Sequence, residues 1–233
     1  MHSTAYISRR QSLETYFNRT AAKTWEQLTS DAPVSRIRQT VREGRDRMRE
    51  TLLSWLPPIW DGESLLDAGC GTGALAAAAA LRGAKVTAVD VAESLVQVAA
   101  DRAPIAPEPG TLRFLVGDML DPVHGSFDHV VAMDSLIHYQ SADIVRALAS
   151  LAPRVRRSIL FTFAPRTPAL TAMHAVGQLF PRSDRSPAIE PVSELTLRRT
   201  IAKDPVLALW RIGRVERVQS GFYTSTAMEL ARR

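Results

Sequence analysis

The residues best placed to do chemistry lie in one short stretch, L-L-D-A-G-C-G-T-G at 65–73. Gly69, Gly71 and Gly73 alternate there, behind an apolar run and ahead of the alanine-rich segment Ala74–Leu81. Glycine serves where backbone must turn tightly and where a ligand must approach the main chain. A strand, a glycine loop and a helix in that order build a nucleotide-binding corner at the carboxyl edge of a parallel sheet. The dinucleotide fingerprint G-x-G-x-x-G would need its third glycine at position 74, which is Ala74. Asp67 adds an acid just before the loop. Asp90, followed by Val91, closes the next strand-like run. A carboxylate there can accept hydrogen bonds from both hydroxyls of a ribose; Asp is equally favoured as a helix N-cap. Gly117-Asp118-Met119 follow a third run, and the polar loop Met133-Asp134-Ser135-Leu136-Ile137-His138-Tyr139 follows a fourth. Cys70, the single cysteine, excludes an internal disulfide and a cysteine-based zinc site. It reads as a small filler of the loop rather than a nucleophile.

These residues need a frame that brings strand ends together. From 63 onward, strand-like runs at 63–67, 85–90, 112–116, 127–133 and 157–163 alternate with helix-like runs at 73–82, 93–102 and 141–153. That alternation predicts a mostly parallel sheet with right-handed crossovers, an α/β fold of the Rossmann-like type. Residues 197–204 predict another helix. R-I-G-R-V-E-R-V and F-Y-T-S-T-A-M-E-L flank Gln219-Ser220-Gly221 and predict an antiparallel C-terminal hairpin. The proline-rich segment 166–195 breaks the rhythm and reads as a lid insertion. Residues 1–60 read as a helical arm of two helices, at about 9–28 and from Ile37 to Leu56, stopped by Pro57 and Pro58. Residues 61–233 read as the catalytic domain.

Composition adds bounds. The chain has 233 residues, 45% of them hydrophobic, and a formal net charge of +5. Only Lys23, Lys85 and Lys203 are lysine; the rest of the 29 basic residues are arginine. Arginine suits carboxylates, phosphates and flat rings, so the excess fits an anionic substrate or simply a compositional bias. Arginines recur at 36, 38, 42, 45, 47 and 49, where the plain reading is a solvated helix face; Glu43 and Arg47 are spaced to pair. No signal peptide or membrane-spanning stretch is legible, so the expected location is the cytoplasm.

The order D-x-G-x-G-x-G loop, acid, Gly-Asp, polar loop resembles the class I S-adenosylmethionine (SAM)-dependent methyltransferases. Beyond that shared core, Y-F-N-R-T-A at 16–21, W-E at 25–26, S-D-A-P-V-S-R-I-R-Q-T-V-R-E-G-R at 30–45, S-L-I-H-Y at 135–139 and L-F-P-R-S-D-R-S-P at 179–187 resemble the magnesium-protoporphyrin IX O-methyltransferases of bacteriochlorophyll biosynthesis. The resemblance implies methyl transfer from SAM to a propionate carboxylate, with S-adenosylhomocysteine (SAH) as the second product. It implies a SAM site made of Asp67, Gly69, Gly71, Gly73, Asp90, Val91, Asp118, Met119 and Met133, with Asp118 receiving the adenine amino group. His138 and Tyr16 are then the groups expected to aim the substrate carboxylate, and Arg182 and Arg185 the expected partners of the second propionate. His138 and Tyr16 can equally be structural, and Trp25, Trp55 and Trp60 equally core or pocket wall. The only metal implied is the magnesium of the substrate. Hand-over from a magnesium chelatase subunit and at most peripheral contact with the photosynthetic membrane are implied too. A quinol O-methyltransferase is the alternative. A nucleic-acid enzyme is disfavoured, because no N-P-P-Y-type motif follows the fourth run and the arginines are not gathered with stacking aromatics.

Overall fold

The computed structural model describes residues 4–21, 35–60, 62–106, 108, 110–166 and 188–233. Its centre is a seven-stranded sheet: β1 (Ser64–Ala68), β2 (Lys85–Asp90), β3 (Thr111–Val116), β4 (Phe127–Ala132), β5 (Val155–Phe163), β6 (Trp210–Ser220) and β7 (Tyr223–Arg232), in the order β3-β2-β1-β4-β5-β7-β6. β1 to β5 are parallel, and β7 runs antiparallel between β5 and the edge strand β6. The inner strands are apolar on both faces, as a parallel sheet covered on both sides requires. The pleat sends neighbours to opposite sides: Leu66 joins the core cluster of Ile144, Leu148 and Phe161, while Leu65 joins that of Leu52, Leu75 and Ala79. β6, at the edge, carries Arg211, Arg214 and Arg217, charges that discourage edge-to-edge pairing.

Helices α1 (Thr4–Tyr16), α2 (Arg36–Ser54), α3 (Ala74–Ala80), α4 (Glu93–Asp101), α5 (Ser141–Leu151) and α6 (Glu194–Lys203) surround the sheet. α1 begins earlier than helical spacing alone indicated. Its anchor is tertiary: Tyr6 is buried and stacks on Tyr139 with ring centroids 5.1 Å apart. A π-helical turn, Phe17–Ala21, follows it. Ser35 caps α2, its side chain accepting from the Arg38 amide. Gly44 lies inside α2, where glycine costs about 1 kcal/mol relative to alanine. A Cβ there would lie 2.5 Å from the Tyr223 ring, so the glycine lets α2 close onto β7. Glu43 and Arg47 do not pair as their spacing allowed; Glu43 accepts from Gln39, and Arg47 donates to the Gln219 carbonyl. Trp60 is core, edge-on to His129, and Trp55 lies under the Arg214 guanidinium. Trp25 and most of the expected insertion lie outside the described residues. The chain returns beside the end of β5, where Pro165 bridges Val192 and the Glu190 amide donates to the Ile137 carbonyl.

Candidate functional site

The loop between β1 and α3 is tied to β2 from below. The Gly69 and Cys70 amides both donate to the Val89 carbonyl, at 2.8 and 3.0 Å. Asp90 then fastens the loop from the side. Its Oδ2 accepts from the Gly71 amide at 2.8 Å and its Oδ1 from the Ala92 amide at 2.9 Å, just before α4. Asp90 is not itself the N-cap of α4; that position is Ala92, which has no side-chain cap bond. Each oxygen has a second lone pair to offer a ligand. Burial raises the Asp90 pKa, and the backbone donors oppose it.

Gly71 and Gly73 differ in kind, although both have positive φ, at 54° and 77°. A Cβ on Gly71 would meet nothing within 4 Å, because the loop faces open space there. A Cβ on Gly73 would sit 2.8 Å from the Phe114 ring and 2.9 Å from Ala99. Gly73 permits close packing behind the loop and does not reach the cavity.

Asp67 is 1% exposed, and its Oδ2 has no hydrogen-bond partner among the described residues. Its pKa is raised to about 7, first by burial and then by the neighbouring Asp90 charge; the Ala76 amide pulls the other way. A buried carboxylate oxygen left unpaired is costly. Cys70 is pushed further from ionisation by its burial, which suits a filler and not a nucleophile.

These groups floor a cavity of about 710 Å³. Asp67, Gly69, Gly71, Asp90, Val91, Met119, Met133 and His138 all line it, so most of the expected residues meet in one place. Among the expected residues that are described, Gly73, Asp118 and Tyr16 are not in this lining. The Asp118 carboxylate is engaged by the arm: Tyr6 Oη donates to its Oδ1 at 2.8 Å, and Arg10 pairs with its Oδ2 at 2.9 Å. It turns to α1 and is not part of the cavity lining. Tyr16 does not line the cavity either; its ring packs edge-on against Phe17, which does. Arg182 and Arg185 lie outside the described residues. His138 is buried, and its Nδ1 lies 3.3 Å from the Ala188 carbonyl oxygen. A carbonyl can only accept, so Nδ1 carries a proton.

The cavity also draws on residues not singled out by motif. Tyr6 and Arg10 reach it from α1, and Tyr223 from β7. Arg42, Arg45 and Arg49 reach it from α2, the helix whose arginines read as solvated; their recurrence along one face was the available signal. Asp134 is strained at φ 55°. Its carboxylate accepts from Arg45 at 2.8 Å and from Tyr223 Oη at 3.0 Å. Burial, then the Asp134 charge, holds the Tyr223 hydroxyl in its protonated, donating form.

Comparison with known proteins places this arrangement. The family described as magnesium-protoporphyrin IX methyltransferase C-terminus matches residues 132–232, and a methyltransferase domain matches 65–158. A magnesium-protoporphyrin O-methyltransferase of Rhodobacter capsulatus is 47% identical over 226 residues, 96% of this chain and 97% of its own. Its namesake from Synechocystis is 28% identical over 219 residues, 93% and 94% of the two chains. The crystal structure of magnesium protoporphyrin IX methyltransferase from Synechocystis PCC 6803 with bound SAH is 27% identical, with a TM-score of 0.81 over 96% of this chain and 99% of that one.

Proposed function

This chain belongs to the magnesium-protoporphyrin O-methyltransferase family, and we propose that it moves the methyl group of SAM to a propionate carboxylate of magnesium-protoporphyrin IX, giving the monomethyl ester and SAH. The observation that carries this reading is 47% identity over 96% of the chain, which extends through the arm and the C-terminal half, where a shared cofactor fold alone would not demand it. A quinol acceptor would also need its phenol deprotonated, whereas a propionate, with a reference pKa near 4.3, is ionised at neutral pH.

The site fits the cofactor on its own geometry. Gly71 leaves room against the backbone, Asp90 offers ribose acceptors, Met119 and Met133 give apolar contacts, and the unpaired Asp67 Oδ2 suits the ammonium of the methionyl end. When bound, the cofactor supplies an electrophilic methyl group on a sulfonium. What the chain must do is hold the acceptor in line and keep water out. Fixing two reactants in attacking geometry is worth roughly 7–11 kcal/mol, and no general base is required. His138 is the group we assign to aiming the propionate.

We read residues 1–60 as an arm over a catalytic domain of residues 61–233 with an insertion at 166–195, and Arg182 and Arg185 as partners of the second propionate. Delivery of the porphyrin by a magnesium chelatase subunit and at most peripheral contact with the photosynthetic membrane complete the proposal. No helix among the described residues is long and apolar enough to cross a membrane. The test is incubation of the purified chain with methyl-labelled SAM and, separately, magnesium-protoporphyrin IX, metal-free protoporphyrin, a quinol and tRNA. Label should appear as a porphyrin methyl ester. Label on the quinol with none on the porphyrin would reverse the assignment.

A further inference from the structure

Two large apolar side chains stand in the cavity wall with much of their surface bare. Phe222 is 56% exposed and Ile189 is 40% exposed, and both line the cavity. Apolar residues scattered singly on a surface need no explanation. These two share one cavity, and each is carried on backbone that is bonded in place. Phe222 sits in the two-residue turn between β6 and β7. That turn is pinned to α2: the Phe222 amide donates to Thr40 Oγ1 at 3.4 Å, and a Cβ on Gly221, at φ 52°, would run into the Thr40 side chain. The next residue, Tyr223, is tied through its hydroxyl to Asp134 at 3.0 Å. Ile189 lies where the chain returns beside β5. There the Glu190 amide donates to the Ile137 carbonyl at 2.9 Å, and the Val192 amide to the Ala164 carbonyl at 2.8 Å. Backbone bonding thus holds both side chains at the cavity although packing does not cover them.

Both belong to one end of the carboxyl edge. β7 runs antiparallel to β5, with Phe163 opposite Thr226, so the start of β7 lies at that edge. The strands run β2-β1-β4-β5-β7. At about 4.8 Å between neighbours, β7 stands about 14 Å from β1. The cofactor groups, Asp90, Asp67 and the glycine loop, are at β2 and β1. In-line transfer needs the acceptor on the far side of the methyl group from the sulfur, which leaves the β4, β5 and β7 side to the acceptor. The lining from β5, the returning chain and the start of β7 is uncharged: Ala164, Ile189, Phe222, Thr224 and Ser225. Both carboxylates of a protoporphyrin stand at the edge of the ring. A propionate directed at the cofactor therefore leaves the flat, apolar body of the macrocycle on this side.

We propose that Phe222 is a stacking platform for the porphyrin macrocycle, with Ile189 as a second apolar contact. This rests on the substrate reading above. Aromatic rings stack well on flat π-systems when offset, and a ring already held at the cavity loses little freedom on doing so.

The experiment uses the full chain and the variants Phe222→Ala, Phe222→Leu, Phe222→Tyr and Ile189→Ala. Fluorescence titration measures magnesium-protoporphyrin IX, and calorimetry measures SAH. Phe222→Ala should bind the porphyrin about tenfold or more weakly, and Ile189→Ala about threefold or more weakly, both with wild-type affinity for SAH. Phe222→Tyr, which keeps the ring, should match wild type. Phe222→Leu, which keeps only apolar bulk, should recover no more than part of the loss. Wild-type porphyrin affinity in Phe222→Ala, or equal losses for porphyrin and SAH, would overturn the platform. A Phe222→Leu protein that binds as tightly as wild type would do the same, by reducing the contact to bulk. The ring is exposed, so its removal should leave the fold intact; if Phe222→Ala melts early, the contrast between the Tyr and Leu variants decides. Wild-type protein that binds SAH but no porphyrin would instead refute the substrate reading.

Discussion

Replacing Asp67 by Asn should make the empty protein more stable and its cofactor site worse. Burial and the Asp90 charge raise the Asp67 pKa from 3.8 to about 7. A carboxyl group raised in this way favours the fold fully below its unfolded pKa, and that contribution is lost as pH rises through the folded value. Seen from neutral pH, the ionised Asp67 is a burden that grows between those limits. At 1.36 kcal/mol per pKa unit, it amounts to about 2 kcal/mol at pH 5.5 and about 4 kcal/mol at pH 8. Asparagine cannot ionise, and any cost of its own amide is the same at both pH values. The stability of Asp67→Asn relative to wild type should therefore rise by about 2 kcal/mol between pH 5.5 and pH 8. For a chain of this size that widens the Tm difference by about 4–8 °C. Denaturant unfolding and thermal melts without ligand, at both pH values, make the measurement. Calorimetry with SAH should show about tenfold or more weaker binding, because the ligand's ammonium loses a charged acceptor. A stability difference that does not change with pH would show that Asp67 is not ionising in a buried site. Unchanged SAH affinity would remove its unpaired oxygen from the ligand's surroundings.

Gly73→Ala should cost about 2–4 kcal/mol, since its Cβ meets Phe114 and Ala99 at a positive φ; Gly71→Ala, with no neighbour to displace, should cost about 1–2 kcal/mol yet abolish SAH binding, both read by denaturant unfolding and calorimetry. His138→Ala should lower kcat far more than SAH affinity. Equal loss of kcat and affinity would make the ring structural. Tyr6→Phe should loosen α1 by about 1–3 kcal/mol, the worth of a hydrogen bond to a charged group; hydrogen exchange across residues 4–16 should quicken while the sheet keeps its protection.

The parts legible in the sequence are those set by local pattern. Alternating apolar strands and alanine-rich helices give the sheet its inner strands, and the turn at Gly221 gives the hairpin. Asp67 and Asp90 were legible because each ends a strand beside a glycine loop, where chain order fixes position. Asp118 occupies a comparable strand end, yet its carboxylate is claimed by Tyr6 and Arg10 from a helix more than a hundred residues earlier. No local pattern carries such a contact. The α2 arginines illustrate a second limit. A solvated helix face and a face lining a cavity have the same 3.6-residue period, so spacing cannot separate them; only the position of α3 and β7 does. Asp134 and Tyr223 show the same limit, because each matters through a partner that is distant in the chain.

The four acids at the carboxyl edge of the parallel strands explain why the site lies where it does. Asp118, Asp90, Asp67 and Asp134 follow or end β3, β2, β1 and β4, so the sheet order sets them side by side. Neighbouring strands are about 4.8 Å apart, close enough for ionised carboxylates to repel strongly once buried. The flanks of the row are neutralised by the N-terminal helices: Arg10 of α1 pairs with Asp118, and Arg45 of α2 with Asp134. Among the described residues, the middle of the row has no such ion-pair partner. Asp90 rests on two backbone amides, and Asp67 has an oxygen with no partner among the described residues. That middle lies at β1 between β2 and β4, the switch point of a doubly wound sheet where ligands bind. The two arm helices thus do more than cover the cavity. By satisfying the outer acids, they leave the uncompensated negative charge at the centre, where a ligand bearing a positive charge relieves it. A neutral or anionic ligand of the same shape would leave the Asp67–Asp90 repulsion in place.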